Sequence, residues 1–142
     1  LYAAGAAKWR GTTYLSWDQG PWNAGLGIFY VGKTHDQGAT TSLATWESLG
    51  RPDYIEPHFT GGQTLYRLVI DPYTTYNLSV GYLFGEVAPS WLGDARVRLA
   101  VSNLTDEEPP LFSGADGFGY DPSASQSLMS GRTWSIEIAS RF

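Results

Sequence analysis

Cysteine is absent from the 142 residues, which excludes a disulfide framework and any thiolate metal site. Basic residues are scarce: nine Lys and Arg stand against fourteen Asp and Glu, a formal net charge of −5. That balance argues against nucleic acid as a partner, because phosphate binding needs a basic surface. No run approaches the ~20 consecutive apolar residues of a membrane-crossing helix. The two histidines, His35 and His58, have no carboxylate or serine at catalytic spacing. They are expected as loop or lumen residues rather than metal ligands, and nothing points to an enzyme or a cofactor. The opening stretch Leu1-Tyr2-Ala3-Ala4-Gly5 lacks the basic region and long apolar core of a signal peptide. The chain therefore reads as a mature form or, better, as a piece of a longer one.

What is present is aromatic and glycine-rich: six Trp, nine Tyr, six Phe and seventeen Gly. Aromatic residues favour strands, and glycine punctuates turns and bulges. Apolar residues alternate with period two, and no convincing helix is found. Five segments carry the alternation. In the first, Trp9, Leu15 and Trp17 share a face opposite Arg10, Tyr14 and Asp18. A tight turn at Gln19-Gly20-Pro21 leads to the second, with Trp22, Leu26, Ile28 and Tyr30 opposite Asn23, Gly25, Gly27 and Phe29. The third, from about Tyr73, sets Tyr76, Leu78, Val80, Tyr82 and Phe84 against Asn77, Ser79 and Gly81. The fourth sets Val97, Leu99 and Val101 against Arg96, Arg98 and Ala100. The last sets Trp134, Ile136, Ile138 and Phe142 against Thr133, Ser135, Glu137 and Arg141. Between them lie short connections at 19–21 and 85–93 and long polar ones, roughly 32–64 and 105–130, with Gly50, Pro52, Pro57, Gly61 and Gly62 as breakers. Membrane barrels alternate short periplasmic turns with long outer loops in this way.

Two features favour lipid over the solvent-facing alternation of a β-sandwich. Same-face aromatics recur eight residues apart in four of the five segments: Trp9 and Trp17, Trp22 and Tyr30, Tyr76 and Phe84, Trp134 and Phe142. Eight residues at ~3.3 Å each, tilted by about 45°, span roughly 19 Å vertically, close to what two aromatic girdles around a ~25 Å apolar band require. Trp17, Trp22, Phe84 and Phe142 would form one girdle, and Trp9, Tyr30, Tyr76 and Trp134 the other. The charged residues between these girdles, Arg10, Arg96, Arg98, Glu137 and Arg141, all fall on the opposite face, where a watery or plugged lumen tolerates them. If Arg98 opposes Glu137 across the last two strands, Asp94 opposes Arg141, and both are expected as cross-strand ion pairs. The expected fold is all-β: a transmembrane antiparallel up-and-down barrel segment.

The closing stretch carries Val101-Ser102-Asn103-Leu104-Thr105-Asp106, then Tyr120-Asp121-Pro122, then Gly131-Arg132-Thr133 and alternating apolar residues to Phe142. In this it resembles the C-terminal end of TonB-dependent outer-membrane receptors. Asp71-Pro72-Tyr73 through Ser79 also looks like that family's penultimate hairpin region. The resemblance covers the last ~70 residues in motif and the earlier part in pattern. It implies a bacterial outer-membrane protein whose barrel has about 22 strands, of which 1–142 holds the last five. It also implies a plug domain and earlier strands that these residues do not contain, since five strands alone leave two open edges in lipid. The implied partners are outer-membrane lipid and lipopolysaccharide, the remaining strands and plug, the TonB complex acting through that plug, the barrel-assembly machinery that reads the closing strand, and a scarce nutrient such as a siderophore–iron complex, cobalamin or saccharide. A porin-like barrel would share the terminal strand, and a soluble β-sandwich binding module would share the alternation.

Among the connecting residues, Trp46, Tyr54, His58, Phe118 and Tyr120 are candidates for ligand contact from the outer loops, with loop packing as the alternative role. The acidic run Asp106-Glu107-Glu108 is more simply a solvated loop than a cation site. Gly114 to Gly119 lacks the strand-to-helix context of a phosphate loop.

Overall fold

The computed structural model describes residues 7–85, 89, 95–114, 117–120 and 128–140. The fold is all-β and mainly antiparallel. It resolves into two compact units: Leu1–Arg10, Val31–Tyr73 and Glu108–Met129 form the first, and Gly11–Tyr30, Thr74–Glu107 and Ser130–Phe142 the second.

The second unit is built on a five-stranded sheet of β1 (Arg10–Gln19), β2 (Trp22–Val31), β6 (Tyr73–Leu83), β7 (Arg96–Ser102) and β10 (Thr133–Ala139), in the order β1-β2-β6-β7-β10. These are the five segments expected from alternation, as neighbours in chain order. Gly20, at φ 55°, makes the tight β1–β2 turn that a residue with a Cβ would resist. Along β6–β7–β10 the register stacks Leu78, Val101 and Trp134 in one row and Val80, Leu99 and Ile136 in the next. Contacts between Trp22 and Tyr82 (ring centroids 4.6 Å) and between Tyr14 and Phe29 (5.6 Å) extend the two faces to β2 and β1.

The first unit corrects the sequence reading. The stretch 32–64, expected as a long polar loop, holds β3 (Thr34–Thr41), a six-residue helix α1 (Leu43–Ser48), β4 (Ile55–Thr60) and the start of β5 (Gln63–Ile70). The three strands form an antiparallel sheet in the order β3-β5-β4. Gly61 and Gly62, read as breakers, are the two central residues of the β4–β5 hairpin, with φ of 59° and 79°. Positive φ at both positions is what a two-residue hairpin turn needs, and a Gly-Gly pair supplies it without strain. The helix, against the expectation of none, is capped by Ser42, whose side chain accepts from the Thr45 amide at 3.1 Å. Its single turn and a half is too short to show a 3.6-residue period. The 105–130 connection likewise contains a hairpin of β8 (Leu111–Gly114) and β9 (Gly117–Tyr120).

Burial is sparse. Among the described residues the buried apolar side chains are Ile70 and Leu128 in the first unit, and Ala95 and Val101 in the second. In the five-stranded sheet, burial does not follow the apolar face: Ile136, Ile138 and Trp134 are 70%, 73% and 62% exposed.

Candidate functional site

The apolar face of the five-stranded sheet is the most distinctive surface. It runs from Leu15 and Trp17 on β1 through Leu78, Val80, Val97 and Leu99 to Trp134, Ile136 and Ile138, and no described charged residue of these strands lies on it. Large contiguous exposed apolar surface is rare on a soluble monomer and marks contact with lipid or protein. Aromatics gather at one end: Tyr82 packs edge-on against both Trp22 (4.6 Å) and Phe84 (4.9 Å). Tyr30, Tyr76 and Trp134 lie toward the opposite end. Phe142 and Arg141 lie outside the described residues.

The other face is polar and closely fitted. A Cβ added at Gly81 would meet the Asn23 side chain at 2.6 Å, and one at Gly27 would meet Phe29 and Tyr14 at 3.1 and 3.2 Å. Small residues at these points let large side chains of the same and the adjoining strands lie over them. Arg98 is opposite Glu137, the register supposed in the sequence reading. The ion pair it was expected to form is not there. Arg96, diagonal to Glu137, takes the carboxylate at 2.7 Å, while Arg98 donates to Ser79 Oγ at 3.1 Å. Diagonal neighbours are within reach of long side chains, and the hydroxyl of Ser79 on the adjoining strand competes for Arg98. The second expected pair, Asp94 with Arg141, lies outside the described residues. Arg10 stands at the start of β1 on the same polar side as Tyr14.

The two halves of the closing motif meet in space. Asn103 sits at φ 53° and 2% exposure; its amide donates to Asn77 Oδ1, its Nδ2 donates to the Glu107 carbonyl, and its Oδ1 accepts from the Glu107 amide, all at 2.9 Å. This ties the end of β7 to β6 and folds the chain back on itself. Asp106, also at positive φ (58°), then accepts from the backbone amide of Arg132 at 2.8 Å, and its other oxygen lies 3.8 Å from the Arg132 guanidinium. Gly131, at φ 61°, brings the chain so close that a Cβ there would sit 3.3 Å from Asp106 Oδ1. The Asn-Leu-Thr-Asp and Gly-Arg segments, 26 residues apart in sequence, are thus the two sides of one clamp across the base of the long connection. Asp106 is engaged in this clamp rather than free for a cation, and the described residues hold no cluster of three or more potential metal ligands.

In the first unit, the candidate loop residues have mixed fates. Trp46 of α1 stacks on Tyr66 of β5 at 4.9 Å, with the Arg51 guanidinium 5.5 Å from its ring; it packs, while Tyr54 is exposed. Phe118 and Tyr120 lie in β9, and their side chains are outside what is described. His58 does something the sequence did not suggest. Its ring lies 5.0 Å from that of His35, so the chain's two histidines, 23 residues apart, meet. Beside them, Glu56 accepts from Lys33 Nζ at 2.7 and 2.9 Å and faces His35 Nε2 at 3.1 Å. The Lys33 ammonium and then the His35 ring hold the Glu56 carboxyl below its ordinary range. Lys33 and Glu56 carry no motif; only strand pairing brings them together.

No protein-family model, no curated protein and no solved structure matches this chain.

Proposed function

We propose that this chain is a stretch of the wall of a bacterial outer-membrane β-barrel, of the TonB-dependent receptor kind, in a protein that imports a scarce nutrient. The single observation that carries the reading is the two-faced five-stranded sheet. One face is apolar, largely exposed and edged by aromatics; the other carries the charged residues, of which Arg96, Arg98 and Glu137 make cross-strand contacts. Water penalises the first face and lipid welcomes it, since an apolar band between aromatic girdles is how a barrel meets the bilayer. The small residues packed under large ones on the polar face suit a sheet that curves toward that side. The clamp between Asp106 and Arg132 supports the receptor kind in particular, because it gives the resembling motif a joint structural job: pinning the two ends of an outer connection at the mouth of the wall. On this reading the wall contributes no catalysis. It holds the lumen and seats the plug supplied by the rest of the protein. TonB would act through the plug, and the barrel-assembly machinery through the closing strand.

The absence of cysteine from these residues makes a direct test simple. Single cysteines at Leu99 and Ile136, on the apolar face, and at Ala100 and Ser135, on the polar face, are introduced into the protein expressed in its own membrane. The first pair is expected to react with a lipid-soluble maleimide and resist a charged one, and the second pair to do the reverse. Equal labelling of all four by the charged reagent would overturn the proposal.

A further inference from the structure

The barrel-wall reading makes no use of one face of the three-stranded sheet, and at its centre stands Arg67. On that face, register sets Glu56 of β4 and Thr40 of β3 directly across from Arg67, with His58 opposite Leu65 and His35 opposite Val69. Side chains alternate along a strand, so Arg67, Glu56, His35 and His58 all project to the same side. Both histidines are diagonal neighbours of the arginine. They belong to the two outer strands, yet their rings come within 5.0 Å of each other, meeting across the central strand on the side that Arg67 occupies. Arg67 Nε is buried and has no hydrogen-bond partner among the described residues. A buried donor left unpaired is costly and uncommon, and its usual explanation is a bound water or ion. The carboxylate best placed by register to answer it, Glu56, is instead held by Lys33 and His35.

The charges on this face give a sign to the missing group. Lys33 and Arg67 are fixed cations, Glu56 is the one carboxylate beside them, and His35 and His58 each add a positive charge on protonation. Tyr54, just before β4, is exposed. Asp36 follows His35 directly in β3, so alternation sets it toward the other side of the strand, where it accepts from the Gly38 and Ala39 amides. The β8 strand, which lies against β3, brings no titratable side chain. The balance of fixed charge on this side is therefore positive. A cation is disfavoured there, and a neutral group would leave the excess charge unanswered.

We propose that this face is a binding site for an oxyanion, a carboxylate or phosphate group carried by a small molecule or a lipid headgroup, with Arg67 as its anchor and His35 and His58 as flanking donors. A guanidinium offers planar paired donors that match such a group. The inference stands on the first unit by itself and does not require the transport reading.

The test uses the protein carrying these 142 residues in a non-ionic detergent, titrated with inorganic phosphate against sodium chloride of matched ionic strength. Nitrogen-resolved NMR follows the Arg67 Nε–H and the two imidazoles. Phosphate is expected to shift all three saturably. Arg67→Gln should weaken it at least tenfold. Arg67→Lys, which keeps the charge and guards against a folding defect, should lose less, and Arg51→Gln should leave binding unchanged. A second arm places the chain in phosphatidylcholine vesicles with and without phosphatidic acid. Competition by that lipid assigns the site to headgroups, and its absence assigns it to a soluble ligand. The proposal fails if phosphate shifts these resonances no more than chloride does, or if folded Arg67→Gln binds phosphate as the parent does.

Discussion

Ile138 provides the most discriminating perturbation. It lies on β10 opposite Val97 of β7, is 73% exposed, and follows Trp134 on the same face by four residues. Four residues at ~3.3 Å, tilted by about 45°, place it roughly 9 Å below the Trp134 level, deep within an apolar band. In water, a lysine at so exposed a position changes stability by no more than about 0.5 kcal/mol in either direction. In lipid, Lys facing the acyl chains near mid-depth costs about 2–4 kcal/mol, or roughly 30- to 900-fold in the folding equilibrium. Ser135, opposite Ala100 on the polar face, is the internal control, and Ser135→Lys should cost less than about 1 kcal/mol. The assay is urea-dependent unfolding of the protein refolded into phospholipid vesicles. With a slope of about 2 kcal/mol per molar urea, Ile138→Lys should lower the midpoint by about 1–2 M. If Ile138→Lys and Ser135→Lys shift it equally, the apolar face does not meet lipid and the reasoning is wrong.

Three further outcomes are expected. Asn103→Ala should destabilise the second unit by about 2–4 kcal/mol, since it breaks two side-chain hydrogen bonds to Glu107 and leaves a non-glycine residue at positive φ; a urea midpoint within about 0.3 M of the parent would contradict the clamp. A double-mutant cycle on Arg96 and Glu137 should give a coupling of about 0.2–1 kcal/mol, small because both side chains are half exposed, and the Arg98 and Glu137 cycle should give less; the reverse order would mean that register, not the diagonal, sets the pair. Glu56 titrates below its ordinary 4.5 in the folded unit. Its contribution to stability is therefore complete above that value and is lost as pH falls through the lowered one. Amide exchange protection in β4 and β5 should decline over that acidic window, and Lys33→Gln should remove most of the decline; an acid response unaltered by the substitution would exclude Lys33 as its main cause.

How much of this was legible follows from the range of each interaction. Alternation is a property of one strand at a time, so the sequence by itself placed β1, β2, β6, β7 and β10 and sorted their faces, while the register that sets Arg98 opposite Glu137 was only supposed until the strands were paired. It missed β3, β4 and β5. Their alternation is blurred by polar residues and a bulge, and the turn that joins β4 to β5 is a Gly-Gly pair that reads equally well as a break. Tertiary structure alone decided which arginine takes Glu137, because the reach of a side chain along the diagonal is not written in spacing. It also brought Asp106 to the amide of Arg132, turning two separate motifs into one clamp. And it set His35 against His58 beside Lys33, Glu56 and Arg67, since residues on the two outer strands of a sheet become neighbours only through the strand that pairs with both.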